Sequence, residues 1–82
     1  MRIDKLLFFL RFAKSRTLAQ NWAEAGHIRL NGRRVEKASL STAVGDVITL
    51  PIGETVVMLK LISMPTRRGP ANEVQLCYQR ID

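Results

Sequence analysis

The sequence predicts an α+β domain: two N-terminal helices packed on a small, mostly antiparallel sheet, with a short C-terminal extension. Three observations carry that reading. Ile3, Leu6, Leu7 and Leu10 recur at i, i+3, i+4 and i+7, the apolar stripe of an amphipathic helix. Asn31-Gly32 separates Ile28-Arg29-Leu30 from Arg33-Arg34-Val35, the strongest short signal for a two-residue hairpin. Thr55–Ile62 is nearly all β-branched or apolar, the composition of a strand.

The first helix starts near Ile3 and is expected to run to about Lys14. Asp4 suits the positive end of its dipole and Lys14 the negative end. Phe8 and Phe12, four residues apart, lie opposite the leucine stripe and make a second apolar side. Asp4 and Lys5 precede a very short apolar run, and no small-residue cleavage site follows, so this is read as a cytoplasmic helix rather than a signal peptide. A second helix runs to about Ala25. It starts either at Ser15, a good N-cap, or at Thr17, which makes a capping box with Gln20. Leu18, Ala19, Trp22 and Ala23 form its apolar face, which assigns Trp22 to the core. Gly26 supplies a left-handed cap after it.

In the hairpin, a two-residue loop sets Leu30 opposite Arg33, Arg29 opposite Arg34, and Ile28 opposite Val35. Two arginines facing each other with nothing between them cost roughly 0.2–1 kcal/mol, a penalty that a bound phosphate would reverse. Ala38–Ala43 reads as a polar connection. Val44-Gly45-Asp46 turns the chain into a strand over Val47–Leu50, ended by Pro51 and Gly53. The Thr55–Ile62 strand is expected to be covered on both faces. Thr66–Pro70 is a loop. Asn72–Arg80 fits either a strand (Val74, Leu76, Tyr78) or a helix (Val74, Cys77, Tyr78), and Pro70-Ala71 ahead of it favours a helix. Residues 1–64 thus form the domain with its sheet, and 65–82 a C-terminal loop with a short helix or strand.

A chain of 82 residues supports one modest core, without room for a separate catalytic lobe. No apolar run approaches the length of a membrane span. With one Cys and one His there is no internal disulfide and no multi-cysteine metal site, and no cofactor is expected. Cys77 reads as a small hydrophobe in a reducing compartment. The net charge of +6 is segregated. Residues 1–37 hold nine Lys/Arg against three acids, whereas residues 38–82 hold four of each sign. Such segregation is the footprint of an electrostatic binding face, and a phosphate polymer is the partner that calls for it.

Several pieces in order resemble the RNA-binding domain named after ribosomal small-subunit protein four. They are Arg2-Ile3-Asp4-Lys5-Leu6-Leu7, Lys14-Ser15-Arg16, Ala19, Gly26, Ile28, Leu30-Asn31-Gly32, Val35 and Val44-Gly45-Asp46-Val47-Ile48. The resemblance implies the αL-type RNA-binding fold, with RNA on the two-helix unit and the first hairpin. Thr55–Ile62, Arg67-Arg68-Gly69-Pro70-Ala71 and Cys77-Tyr78 are in turn similar to the ribosome-associated heat-shock proteins of about fifteen kilodaltons. Members of that subfamily bind ribosomal RNA on the large subunit and are implicated in handling stalled nascent-chain complexes. The longer members carry an extended basic C-terminal helix, and a departure from them is expected here, since this sequence ends at Asp82.

The expected RNA contacts are Arg2, Lys5, Arg11, Lys14, Ser15, Arg16, Gln20, His27, Arg29, Asn31, Arg33 and Arg34. Lys14, Ser15 and Arg16 surround a helix start, where backbone N–H groups and the dipole favour an anion. Asp4 is expected to hold Arg16 or Arg2 by an ion pair rather than to touch RNA. Gln20 and Asn31 are candidates for sugar or base contacts. His27 either adds charge below about pH 6.5 or pairs with Glu36. Phe8 and Phe12 are expected under a C-terminal segment, leaving Phe9 as the stacking candidate. Arg67 and Arg68 read as an isolated, solvated basic loop.

The expected partner is structured RNA, either ribosomal RNA or the large ribosomal subunit. The protein is expected to act as a monomer with no membrane contact. Two alternatives are a DNA-binding protein and a transfer-RNA-binding module acting with a partner enzyme. A hairpin rather than a groove-reading helix follows the basic helix start, which counts against a helix-turn-helix. No nucleophile–base pair, glycine-rich phosphate loop or metal cluster is present in the sequence, so no catalysis is expected.

Overall fold

The computed structural model describes residues 1–81. Helices α1 (Ile3–Phe9) and α2 (Arg16–Glu24) come first. They are followed by β1 (Arg29–Leu30), β2 (Arg33–Arg34), β3 (Val47–Ile52), β4 (Thr55–Leu61) and β5 (Tyr78–Arg80). These strands form one antiparallel sheet in the order β2-β1-β3-β4-β5. A single helical turn, α3 (Ala71–Val74), and a 3-10 turn (Gln75–Cys77) lead into β5.

The leucine stripe is the core of the domain. Ile3, Leu6, Leu7 and Leu10 are buried together with Ala19 and Ala23 of α2 and with Ile48, Leu50, Val57, Leu59 and Leu61 of the sheet. Burying each large aliphatic side chain contributes about 1.5–3 kcal/mol, which fixes both helices to one face of the sheet. Trp22 and Cys77 are half-buried and pack against this cluster.

Of the two possible starts for α2, Ser15 is the one used. Its Oγ accepts the N–H of Leu18 at 3.1 Å. At the other end His27 N–H donates to Trp22 O and Gly26 N–H to Ala23 O, both at 3.1 Å. With Gly26 at φ +79°, this is a Schellman motif. It turns the chain directly into the hairpin.

Helix α1 is shorter than its sequence pattern suggests. It ends at Phe9, and Arg11 takes a left-handed conformation (φ +69°), so Lys14 lies beyond the helix rather than at its negative end. The cation at that end is Arg68, whose Nε donates to Phe8 O at 3.1 Å. Arg11 Nε in turn donates to Gly69 O at 2.5 Å. This two-way clasp stops the helix, and no local residue pattern encodes it.

Both tight hairpins follow from their loop residues. Asn31 and Gly32 (φ +53° and +82°) form a type I′ turn, giving the register Arg29↔Arg34 and Leu30↔Arg33. Gly53 (φ +59°) opens the turn between Ile52 and Thr55. Pro51 lies inside β3 instead of ending it. β1 pairs with β3 only at Ile48 and Thr49, so an N–H at position 51 would have no partner on that side.

Two further expectations are corrected. β4 is not covered on both faces: Val57, Leu59 and Leu61 point inward, while Val56 and Met58 are exposed, as is Ile62 just after it. An antiparallel sheet tolerates one open face. Residues 72–80 are neither all helix nor all strand. The helical turns end at Cys77, and Tyr78–Arg80 then pairs along β4 from Leu61 to Leu59. This segment covers Phe12, whose ring centroid is 5.2 Å from that of Tyr78, and Arg68 covers Phe8 at 4.7 Å. Among the described residues, no helix is long and apolar enough to cross a membrane.

Candidate nucleic-acid interface

The N-terminus of α1 is closed by a fully buried carboxylate. Ile3 N–H donates to Leu40 O at 2.8 Å and Asp4 N–H to Ala38 O at 3.3 Å. The next free donor, Lys5 N–H, reaches Asp4 Oδ1 at 2.7 Å. Asp4 also accepts from Arg2 Nε and Nη2 at 3.2 and 3.1 Å and from Gln20 Nε2 at 3.2 Å. Arg16 Nε lies 3.6 Å from Oδ2. Burial alone would raise the carboxyl pKa, but the hydrogen bonds from Gln20, Lys5 N–H and Arg2, with the charge of Arg16, bring it below the usual value of 3.8.

One anion therefore gathers two arginines from separate parts of the chain. Their side chains remain about half exposed (48% for Arg2, 43% for Arg16), so their outer faces are open to a ligand. Arg16 occupies the first position of α2, where the helix dipole disfavours a cation. Asp4 offsets that cost. Ser15 and the exposed Lys14 complete a cationic helix start.

The hairpin carries the second group. Arg29, Arg33 and Arg34 are all exposed, and Arg29 faces Arg34 across the pair. The guanidinium of Arg34 folds back over Gly26, in space that a Cβ would occupy. It thus reaches the last turn of α2, where the partial negative charge of the helix end eases the repulsion from Arg29. The two groups are joined by residues 38–42, which run beside the N-terminus and bridge Arg2 to Ser41.

Several other sequence candidates already have partners within the fold. Gln20 is used on Asp4. Asn31 donates to Asp46 Oδ1 at 3.1 Å and accepts from Val47 N–H at 2.9 Å, which pins the hairpin to β3. Arg11 is drawn to Gly69, away from both groups. Lys5 covers one face of Phe9, with Nζ 5.3 Å from the ring centroid. His27 is exposed and, among the described residues, makes no ion pair with Glu36. Arg67 is a solvated surface charge, paired with Glu73 at 2.8 Å, whereas Arg68 is not solvated as expected but lies against α1.

A groove of about 590 Å³ runs beside the hairpin, lined by Leu30, Asn31, Arg33, Arg34 and Leu40. A smaller hollow of about 230 Å³ continues it along Arg34, Glu36, Lys37 and Leu40. Lys37 and Leu40 are absent from the sequence candidates. Their signals were an extra cation next to the hairpin and a lone leucine in a polar connection. Among the described residues, no group of three or more His, Cys, Asp or Glu side chains could hold a metal ion.

The S4 domain family matches residues 1–48. Over 82 residues the chain is 34% identical to the heat shock protein 15 homolog of Haemophilus influenzae, covering all of this chain and 62% of that protein. It is 37% identical to heat shock protein 15 of Escherichia coli, over 96% of this chain and 59% of that protein. The small ribosomal subunit protein uS4 of Gloeobacter violaceus is 43% identical over 60% of this chain and 24% of its own length. The chain thus spans about six-tenths of the length of the heat shock proteins it matches. A solved trimeric structure of Vibrio cholerae heat shock protein 15 superposes with a TM-score of 0.94 at 36% identity, over 99% of this chain and 81% of that one. The chain belongs to the S4 domain family, on its heat shock protein 15 branch.

Proposed function

We propose that the protein is a non-catalytic RNA-binding module that docks structured RNA, ribosomal RNA foremost, through phosphate contacts. The carrying observation is the buried Asp4 carboxylate, which gathers Arg2 and Arg16 beside a capped helix start. Arg29, Arg33 and Arg34 extend the same cationic surface, with Lys5 and Lys14 on its flanks. A fixed constellation of half-exposed arginines suits phosphates held at set spacings, as in a folded RNA, and reads shape more than sequence. Membership of a family that includes ribosomal proteins supports RNA as the polymer. The finer reading is docking on the large ribosomal subunit during the handling of stalled nascent-chain complexes in the cytoplasm. All of these residues come from one chain, so each copy carries a complete face as a monomer or within an assembly.

The test is co-sedimentation with separated ribosomal subunits and with free structured RNAs across a salt series. Retention on large subunits, falling by orders of magnitude between about 50 and 200 mM salt, is expected if some five to seven phosphates are neutralised. A flat salt response would remove the electrostatic account. Binding to free RNA but to neither subunit would keep the module and remove the ribosomal role.

A further inference from the structure

We propose that the groove beside the first hairpin receives an unpaired nucleobase, seated between Leu30 and Leu40, with the flanking phosphates on Arg33, Arg34 and Lys37. This rests on the RNA-binding reading and adds to it a specific subsite for single-stranded nucleotides.

Leu40 is the starting point. It is 42% exposed although its backbone is firmly held, its carbonyl by Ile3 N–H at 2.8 Å and its N–H by Lys37 O at 3.1 Å. The leucine is therefore not exposed through slack in a loop; the fold presents it. Leu30 lines the same groove, and its position is set by the type I′ turn and by its pairing with Ile48. Between them lies a groove whose volume is in the range of small-ligand clefts.

The lining decides the ligand class. Two leucines offer an apolar seat for the flat face of a base, and three cations stand beside it. An inorganic phosphate would use the cations but not the leucines, whereas an apolar peptide would have no use for three cations. A nucleotide uses both. In a paired helix the base faces are already stacked, so only an unpaired base can enter. Glu36 in the adjoining hollow sets the direction. Its carboxylate can accept an N–H from the edge of a base, so the base edge lies toward Glu36 and the phosphates on the cations around it.

The experiment is an NMR titration of the full chain, with labelled leucine methyls and backbone amides. The probes are single-stranded hexa-adenylate and an abasic ribose-phosphate chain of the same length. Both are expected to shift the amides of Arg33, Arg34 and Lys37, and only hexa-adenylate the methyls of Leu30 and Leu40. Leu40→Ser should weaken hexa-adenylate about fivefold or more and leave the abasic chain unchanged. Leu40 is exposed, so this variant should fold, and the methyl shifts of the unaltered protein test the idea without it. Methyls that respond alike to both probes, or to neither, would overturn the subsite. If structured RNA still binds with steep salt dependence in that case, only the subsite falls; if it too fails to bind, the RNA reading falls with it.

Discussion

The guanidinium of Arg34 lies over Gly26, in the place a side chain on that residue would fill. The contact joins the last turn of α2 to the second strand of the hairpin. It also fixes the direction of a cation that the register alone would leave facing Arg29. Gly26 thus has two separate jobs. It takes a positive φ that ends α2, and it leaves room for Arg34.

Those two jobs can be separated by substitution. Gly26→Ala and Gly32→Ala each force alanine into a left-handed conformation, φ +79° and +82°, at about 1–2 kcal/mol. A Cβ at Gly32 meets open space, whereas one at Gly26 meets Arg34. The obstacle is the tip of a flexible side chain, so Arg34 should swing aside at little extra cost in stability. Urea denaturation should therefore give similar losses for the two variants. RNA affinity should fall only for Gly26→Ala. Equal affinities would show that the direction of Arg34 is irrelevant to binding.

Asp4 makes the fold sensitive to acid. Its folded pKa lies below the ordinary 3.8, so its contribution to stability is complete above about pH 4 and is lost as pH falls through the folded value. Asp4→Asn removes hydrogen bonds to charged groups and should cost about 1–3 kcal/mol at pH 7. Urea midpoints measured from pH 6 to pH 2.5 should fall more steeply for the unaltered protein than for Asp4→Asn. Parallel curves would mean that Asp4 is not an ionised partner of Arg2 and Arg16.

The first fifty residues are legible because their signals are local. A serine cap, a glycine after a helix and an Asn-Gly turn each act within a few residues, and together they set the Arg29↔Arg34 register. An ion pair of Asp4 with Arg16 or Arg2 was legible too, since an acid set among the cations at a helix start has few other uses; the fold uses both arginines. The rest depends on distant contacts. α1 stops at Phe9 because Arg68 and Gly69 meet it from about sixty positions away. Residues 78–80 become strand because β4 offers an edge, and an alternating apolar pattern cannot reveal an edge. The hydrogen bonds that Asn31 and Gln20 make within the fold are not legible either, because sequence does not say which way a polar side chain turns. Their partners, Asp46 and Asp4, lie 15 and 16 residues away.

The proposed face is tested by comparing two arginines. Arg16 is positioned by Asp4 at the start of α2, whereas Arg67 is paired with Glu73 in the 66–70 loop. Arg16→Ala should weaken RNA binding about tenfold or more and lower the slope of log affinity against log salt by about one. Arg67→Ala should leave both nearly unchanged. Filter binding at several salt concentrations reads the two quantities together. Equal losses would put the RNA on a different face.

Arg68 gives the converse case, a cation whose work is structural. It donates to Phe8 O at the negative end of α1, and its guanidinium carbon stands 4.7 Å from the centre of the Phe8 ring. The helix-end charge is worth about 0.3–1 kcal/mol and the ring contact about 0.5–1 kcal/mol where solvent has access. Arg68→Ala should therefore lower stability by about 1–2 kcal/mol. Arg68→Lys keeps the charge but loses the planar fork that serves carbonyl and ring together, so it should recover only part of the loss. Thermal unfolding measures that order, and RNA binding under folding conditions should be the same for all three proteins. A loss of affinity in Arg68→Ala with no loss of stability would move Arg68 from the clasp to the RNA face.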